Sequence, residues 1–281
     1  MQWIAVGAGL GAAVGFAVNT SFQHHGVTGT HTDATARWWV RVATRPVWLA
    51  GSAAGLVAVA LQAFALAMGP VTIVQPILTT ELVFALSANG FLQRRRPERA
   101  EVVWAGILLA GLTAFLLAAS PQSGSPGQIN RTTLLLSALT TLGLAAVLAV
   151  LANGTLSRYR AALLGASTGL GFGIVSVLGK YCLLQIRDGP LPVLMDWPVW
   201  MLLAMALASV IVEQAAFRAG PLAASLPPLT VLDPLVATCG GVVALNETMR
   251  VSGTALVFEG ISGACLVFAA IGLARHTAID R

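Results

Sequence analysis

Charge is scarce in this chain. Only 10% of its 281 residues are Asp, Glu, Lys or Arg, while 57% are hydrophobic; roughly a quarter of a soluble domain's residues are charged. That deficit excludes an ordinary soluble fold. Cysteine is scarce too: Cys182, Cys239 and Cys265 are odd in number, sit within or at the ends of apolar stretches and lack metal-ligand spacing. Neither a disulfide framework nor a zinc site is indicated, and packing is their expected role. The chain also lacks a phosphate-binding glycine loop, a nucleophile–base constellation and any soluble domain to hold a nucleotide, which argues against an enzyme and against ATP-driven transport. No cofactor is expected.

Long hydrophobic runs are what the chain has. Runs of the ~20 residues that cross about 30 Å of hydrocarbon as helix occur near 3–25, 46–68, 71–92, 101–119, 132–152, 160–184, 197–218, 221–245 and 252–274. The expected fold is an all-α polytopic membrane protein with nine transmembrane helices. No basic segment precedes Trp3, and no small-residue cleavage site follows before the polar stretch Asn19 to His25. The first run is therefore read as a retained span, not a secretory signal.

Orientation follows from the basic residues. With alternating spans, 12 of the 16 share one side (Arg37, Arg41, Arg45, Arg94, Arg95, Arg96, Arg99, Arg158, Arg160, Arg218, Arg275, Arg281), leaving Arg131, Lys180, Arg187 and Arg250 opposite. The positive-inside rule then places the amino terminus outside and the carboxyl terminus in the cytoplasm, with the plasma membrane as the expected location. Arginines divided among loops in this way suit anionic lipid headgroups and not nucleic acid. Arg37, Arg41 and Arg45 recur every four residues beside Trp38, Trp39 and Trp48. They predict a short interfacial helix, arginines toward phosphate and indoles at headgroup depth. His24, His25 and His31 nearby are read as interfacial, having no acidic partner except Asp33.

The chain repeats itself. Gly69-Pro70 and Gly220-Pro221 each open a span, and at an offset of 151 Pro76 meets Pro227, Leu78 meets Leu229, Thr79 meets Thr230 and Gln62 meets Glu213. Glu81 falls one position short of Asp233, and Gly9, Gly15 and Phe16 match Gly165, Gly171 and Phe172 at an offset of 156. Spans one to four (residues 1–120) thus correspond to spans six to nine (156–281), with span five (121–155) as connector. An odd connector inverts the second repeat relative to the first. Glycines crowd spans one and six and permit close helix contact around a central cavity.

The candidate chemistry lies with polar groups inside the membrane. Glu81 and Asp233 fall at the middle of spans three and eight. An acid there costs about 2.5–3.5 kcal/mol on insertion scales, so by default it faces a bundle interior and has a function. Pro76, Pro227, Pro228 and Pro234 are expected helix breaks that free the carbonyls of Thr72, Ala223, Ala224 and Thr230 for cation coordination. Gln75 and Thr79 supply a polar edge in the first repeat, and Thr230 shares the face of Asp233. Glu213 and Glu259 either line an access path or bridge helices.

The paired Gly-Pro openings, the phrases Ala67-Met68-Gly69-Pro70 and Ala219-Gly220-Pro221, and Arg94-Arg95-Arg96 at a cytoplasmic exit resemble the drug/metabolite transporter superfamily, closest to its NIPA-like, EamA-related branch. The resemblance implies two inverted four-helix repeats and transport by alternating access. Members of the superfamily move amino acids, nucleotide sugars, cationic drugs and other metabolites, and animal NIPA-like members are associated with magnesium. Nine spans depart from the commoner ten-span layout. The leading expectation is a secondary transporter of a small solute, with Glu81 and Asp233 exchanging protons. A magnesium pathway through the same carboxylates is the alternative, although two midplane acids make a lean site for that ion. A non-transporting membrane scaffold is the distant third. A homodimer is compatible with this layout.

Overall fold

In a computed structural model the chain is described over residues 2–28, 36–68, 74, 77–92, 99–119, 129–155, 157–185 and 189–246. The helices are α1 (Gln2–Val27), α2 (Ala36–Ala43), α3 (Pro46–Met68), α4 (Glu81–Leu92), α5 (Arg99–Ala119), α6 (Arg131–Gly154), α7 (Ser157–Gln185), α8 (Pro190–Met195), α9 (Trp197–Ala219) and α10 (Leu222–Leu245). Among the described residues no strand occurs. Gln75, Pro76, Arg94 to Arg96 and the expected ninth span with Glu259 and Cys265 lie outside the described residues.

Six of these helices (α1, α3, α6, α7, α9 and α10) are long and apolar enough to cross a bilayer; α4 and the stretch Val103–Phe115 of α5 are shorter apolar segments. The protein is an integral, multi-pass membrane protein. Leu56, Leu136, Val150, Leu207 and Trp200 point outward, as apolar side chains do when the solvent is lipid.

Two groups of helices share one packing pattern. The amino-terminal group has α1 lying along α3 and α4; in the other, α7 lies along α9 and α10, with α6 against α7. Glycines govern both contacts. A Cβ on Gly15 would sit 2.9 Å from the Cβ of Ala58 on α3, and one on Gly171 would sit 2.1 Å from the Ser209 hydroxyl oxygen on α9. Ala58 and Ser209 are themselves 151 positions apart, so matched glycines press on matched residues. On α7 the stripe Gly165, Gly169 and Gly173 meets the backbone of α10 at Ser225, Leu229 and Asp233. Side chains at i, i+4 and i+8 stack on one helix face, and leaving them out lets two backbones touch. Between the groups, Leu82 and Ala85 of α4, Leu108 and Leu112 of α5, Phe217 of α9 and Leu222 and Leu226 of α10 form one buried cluster.

Three local expectations need correction. Span three is not continuous helix through Glu81: a turn at Thr79–Thr80 interrupts it, and α4 begins at Glu81. The Thr80 amide and hydroxyl both donate to the Ile77 carbonyl, at 3.1 and 2.6 Å, a tight i→i+3 closure that ends the preceding helical turn. Glu81 therefore occupies a helix start instead of a helix middle.

The prolines of span eight are not breaks. α10 runs unbroken from Leu222 to Leu245 through Pro227, Pro228 and Pro234. Proline removes donors, but in a membrane neighbouring helices and hydroxyls support the freed backbone. α7 packs on the neighbouring α10 backbone at Ser225, Leu229 and Asp233, and the Thr230 hydroxyl donates to the Pro227 carbonyl at 3.1 Å.

The short helix expected beside Arg37, Arg41 and Arg45 forms as α2, but Trp38 does not face outward. Trp38 is buried against Val27 and Val42, with the Arg218 guanidinium 5.1 Å from its ring centroid. An indole offers a cation a large negative face, and this one is taken by the protein itself. Arg45 donates to the Gly26 carbonyl at 2.7 Å, which ties the loop to the end of α1.

At the opposite end of the bundle, Asp196 caps α9 by accepting the Trp197 amide at 2.9 Å and pairs with Arg131 at the start of α6. An unpaired amide at a helix start and an adjacent guanidinium both favour a carboxylate there.

Candidate functional site

Three acids on three helices lie near the boundary between the two groups, with Glu81 in electrostatic range of each of the other two. Glu81 opens α4, Glu213 lies near the carboxyl end of α9 and Asp233 lies midway along α10. Asp233 acts electrostatically on Glu81, and Glu81 on Glu213. Glu213 is buried, whereas Glu81 and Asp233 keep part of their surface accessible. The Thr20 hydroxyl of α1 donates to Glu81 Oε1 at 3.2 Å, and the Ser21 hydroxyl donates to the Ala85 carbonyl at 3.0 Å. These bonds fix the start of α4 against α1. Carboxylates with partial access, gathered from separate helices in a membrane protein, suit a cation or an exchangeable proton.

The other expected site residues divide. Thr79 lies in the turn just before Glu81, half-buried, and Thr230 is one turn before Asp233 on α10. Gln62 is half-buried on α3, one turn beyond Ala58. Glu213, left between an access path and interhelical bridging, is buried within electrostatic range of Glu81. Gln75, Pro76 and Glu259 lie outside the described residues. Among the described residues, no three His, Cys, Asp or Glu side chains converge closely enough to hold a metal ion.

A second polar layer adjoins the acids, and the sequence reading missed it. Trp48 Nε1 donates to Gln214 Oε1 at 3.1 Å, and Gln214 Nε2 donates to Gln23 Oε1 at 2.5 Å. Gln23 Nε2 in turn donates to Asn19 Oδ1 at 2.7 Å and reaches Ser52 Oγ at 3.4 Å. His24, read as interfacial, is instead buried at 1% exposure. Its Nδ1 stands 3.1 Å from Asn89 Oδ1 and its Nε2 3.2 Å from the Gly220 carbonyl oxygen, with Phe217 edge-on at 5.8 Å. A signal for this layer did exist. Thr20, Gln23, His24 and Val27 are spaced i, i+3, i+4 and i+7, the periodicity of one helix face, and all four are buried.

No family model and no solved structure matches the chain. An uncharacterised protein of Corynebacterium glutamicum is 30% identical over 277 residues, covering 97% of this chain and 95% of its own length. The chain belongs to the same family as that corynebacterial protein.

Proposed function

We propose that the protein is a secondary transporter of the drug/metabolite type that moves a small, positively charged solute by alternating access, coupled to proton exchange. The placement of Glu81, Glu213 and Asp233 on three helices within the bundle, with Glu81 held by the Thr20 hydroxyl, carries this reading. Buried acids are expensive in a membrane and persist where they bind or relay charge. Their place at the boundary between two helix groups is where repeat-built transporters hold substrate.

The layout supports the same reading. Matched packing of α1 on α3 and α4 and of α7 on α9 and α10, with matched contacts at Gly15 and Gly171, favours two inverted four-helix repeats and nine spans in all. The arginine distribution favours an outside amino terminus in the plasma membrane. A magnesium pathway uses the same acids but has less in its favour, since no compact ligand cluster occurs among the described residues. Transport through the bundle is also preferred to an enzymatic role.

Reconstituted vesicles test this reading. With the membrane potential set to zero and only a pH gradient imposed, a panel of organic cations is offered and uptake is measured. Uphill accumulation of one of them is the expected result. No accumulation of any, together with potential-driven magnesium entry, would favour the magnesium pathway.

A further inference from the structure

The last turn and a half of α9 touches the amino-terminal group at every polar or aromatic position on one face. Gln214 bonds Gln23 and Trp48, Phe217 meets the His24 ring edge-on and Arg218 covers Trp38. Just beyond, Gly220 offers its carbonyl to His24. Positions 214, 217 and 218 follow i, i+3 and i+4, so a single helix face makes these contacts. Their partners lie on the end of α1, on α2 and on the first turn of α3, all at one end of the bundle.

Two of the acids, Glu81 and Glu213, lie just behind this seam. Thr20, bonded to Glu81, precedes His24 by four residues of α1, or about 6 Å of helix. Glu81 precedes Asn89, the other partner of His24, by eight residues of α4, or about 12 Å. Glu213 is the immediate neighbour of Gln214. A solute leaving the acids toward this end meets the seam first.

We propose that residues 214–220 are the movable half of a gate that closes the acidic site at this end, and that residues 19–24, Trp38 and Trp48 are its fixed half. The chemistry suits a seal that must reopen. Beside Phe217, which packs in the apolar cluster, Gln214 and Gly220 make amide, indole and imidazole hydrogen bonds that water can replace one for one. A seam of interlocked aliphatic side chains would have no such exchange. Glu213 and Gln214 are consecutive on one helix, so a shift of Glu213 on loading the site moves Gln214 with it. This proposal rests on the transporter reading, but the barrier it describes can be measured without transport.

The probe is a membrane-impermeant thiol reagent, used on a chain carrying Cys182→Ala, Cys239→Ala, Cys265→Ala and Glu81→Cys, in vesicles of both orientations. With the seam intact, labelling from the face bearing the carboxyl end of α1 should be slow. Gln214→Leu and, separately, Gln23→Leu should each raise that rate at least tenfold and leave labelling from the other face unchanged. Size-exclusion profiles identify the folded preparations. An unchanged rate in folded variants, or an equal rise from both faces, would overturn the gate. A second arm joins Gln23→Cys to Gln214→Cys with a short, reducible bifunctional thiol reagent in the cysteine-free chain. Bridging should block labelling of a third cysteine placed at Thr20 and reduction should restore it; labelling indifferent to the bridge would also overturn the proposal. If labelling behaves as expected while no solute moves in vesicles, the barrier stands and the transporter reading falls.

Discussion

A Cβ built on Gly173 would stand 2.7 Å from the backbone oxygen of Asp233. Helices α7 and α10 therefore touch backbone to backbone beside one of the three acids. Gly173→Ala should push them apart, because the same Cβ also falls 2.5 Å from the Val236 Cβ. Overpacking of this kind costs about 1–3 kcal/mol, against a helix-propensity gain of about 1 kcal/mol. A lower melting temperature in detergent and weakened transport are expected. Gly143→Ala, with nothing within 4 Å of the added carbon, should be neutral or slightly stabilising.

Glu81→Gln and Asp233→Asn should each abolish or uncouple transport while leaving expression and folding intact. Each keeps volume and polarity but removes a titratable charge, and a neutral amide is cheaper to insert than an ionised acid. Glu213→Gln should behave similarly if the three acids work together. Wild-type, pH-dependent transport in Glu81→Gln and Asp233→Asn would leave these side chains a purely structural role.

For a cationic solute, apparent affinity should weaken as pH falls. Protonation of a carboxylate removes the negative charge that attracts the solute, so proton and solute compete. Where the empty site is protonated, one competing proton changes apparent affinity by up to about tenfold per pH unit. Substrate-concentration series at several pH values measure this slope. A flat profile would mean that proton and solute do not share the acids.

The cap at the start of α9 can be separated from its ion pair. Asp196→Asn keeps an oxygen for the Trp197 amide but loses the charge that pairs with Arg131. The Arg131 side chain is 54% exposed, and such exposed pairs contribute only about 0.2–1 kcal/mol. Asp196→Ala loses the cap as well, a further ~1 kcal/mol. Thermal unfolding should rank wild type above Asn and Asn above Ala; equal losses in both variants would show that the capping bond contributes nothing.

The long spans were legible because hydrocarbon imposes length and apolarity, and α1, α3, α6, α7, α9 and α10 follow the expected runs within a few residues. Gly15 and Gly171 were legible for a related reason, since Ala58 and Ser209 on the facing helices leave no room there for a Cβ. The turn at Thr79–Thr80 was not. Hydropathy averages over it, and threonine's hydroxyl can bond either a helix or the turn that ends one. His24 was misplaced because a polar residue near the end of an apolar run reads as interfacial. Partners far along the chain, Asn89 on α4, Phe217 on α9 and Gly220 just beyond it, make it an interior residue.

The amide chain from Trp48 to Asn19 has a direction. An indole N–H can only donate, so Gln214 must turn its oxygen toward Trp48, which leaves its nitrogen for Gln23 and the Gln23 nitrogen for Asn19. One tryptophan thus sets the polarity of every amide behind it. With phenylalanine at position 48 the row would have two orientations of nearly equal energy, and order would be lost through degeneracy without any break between the glutamines.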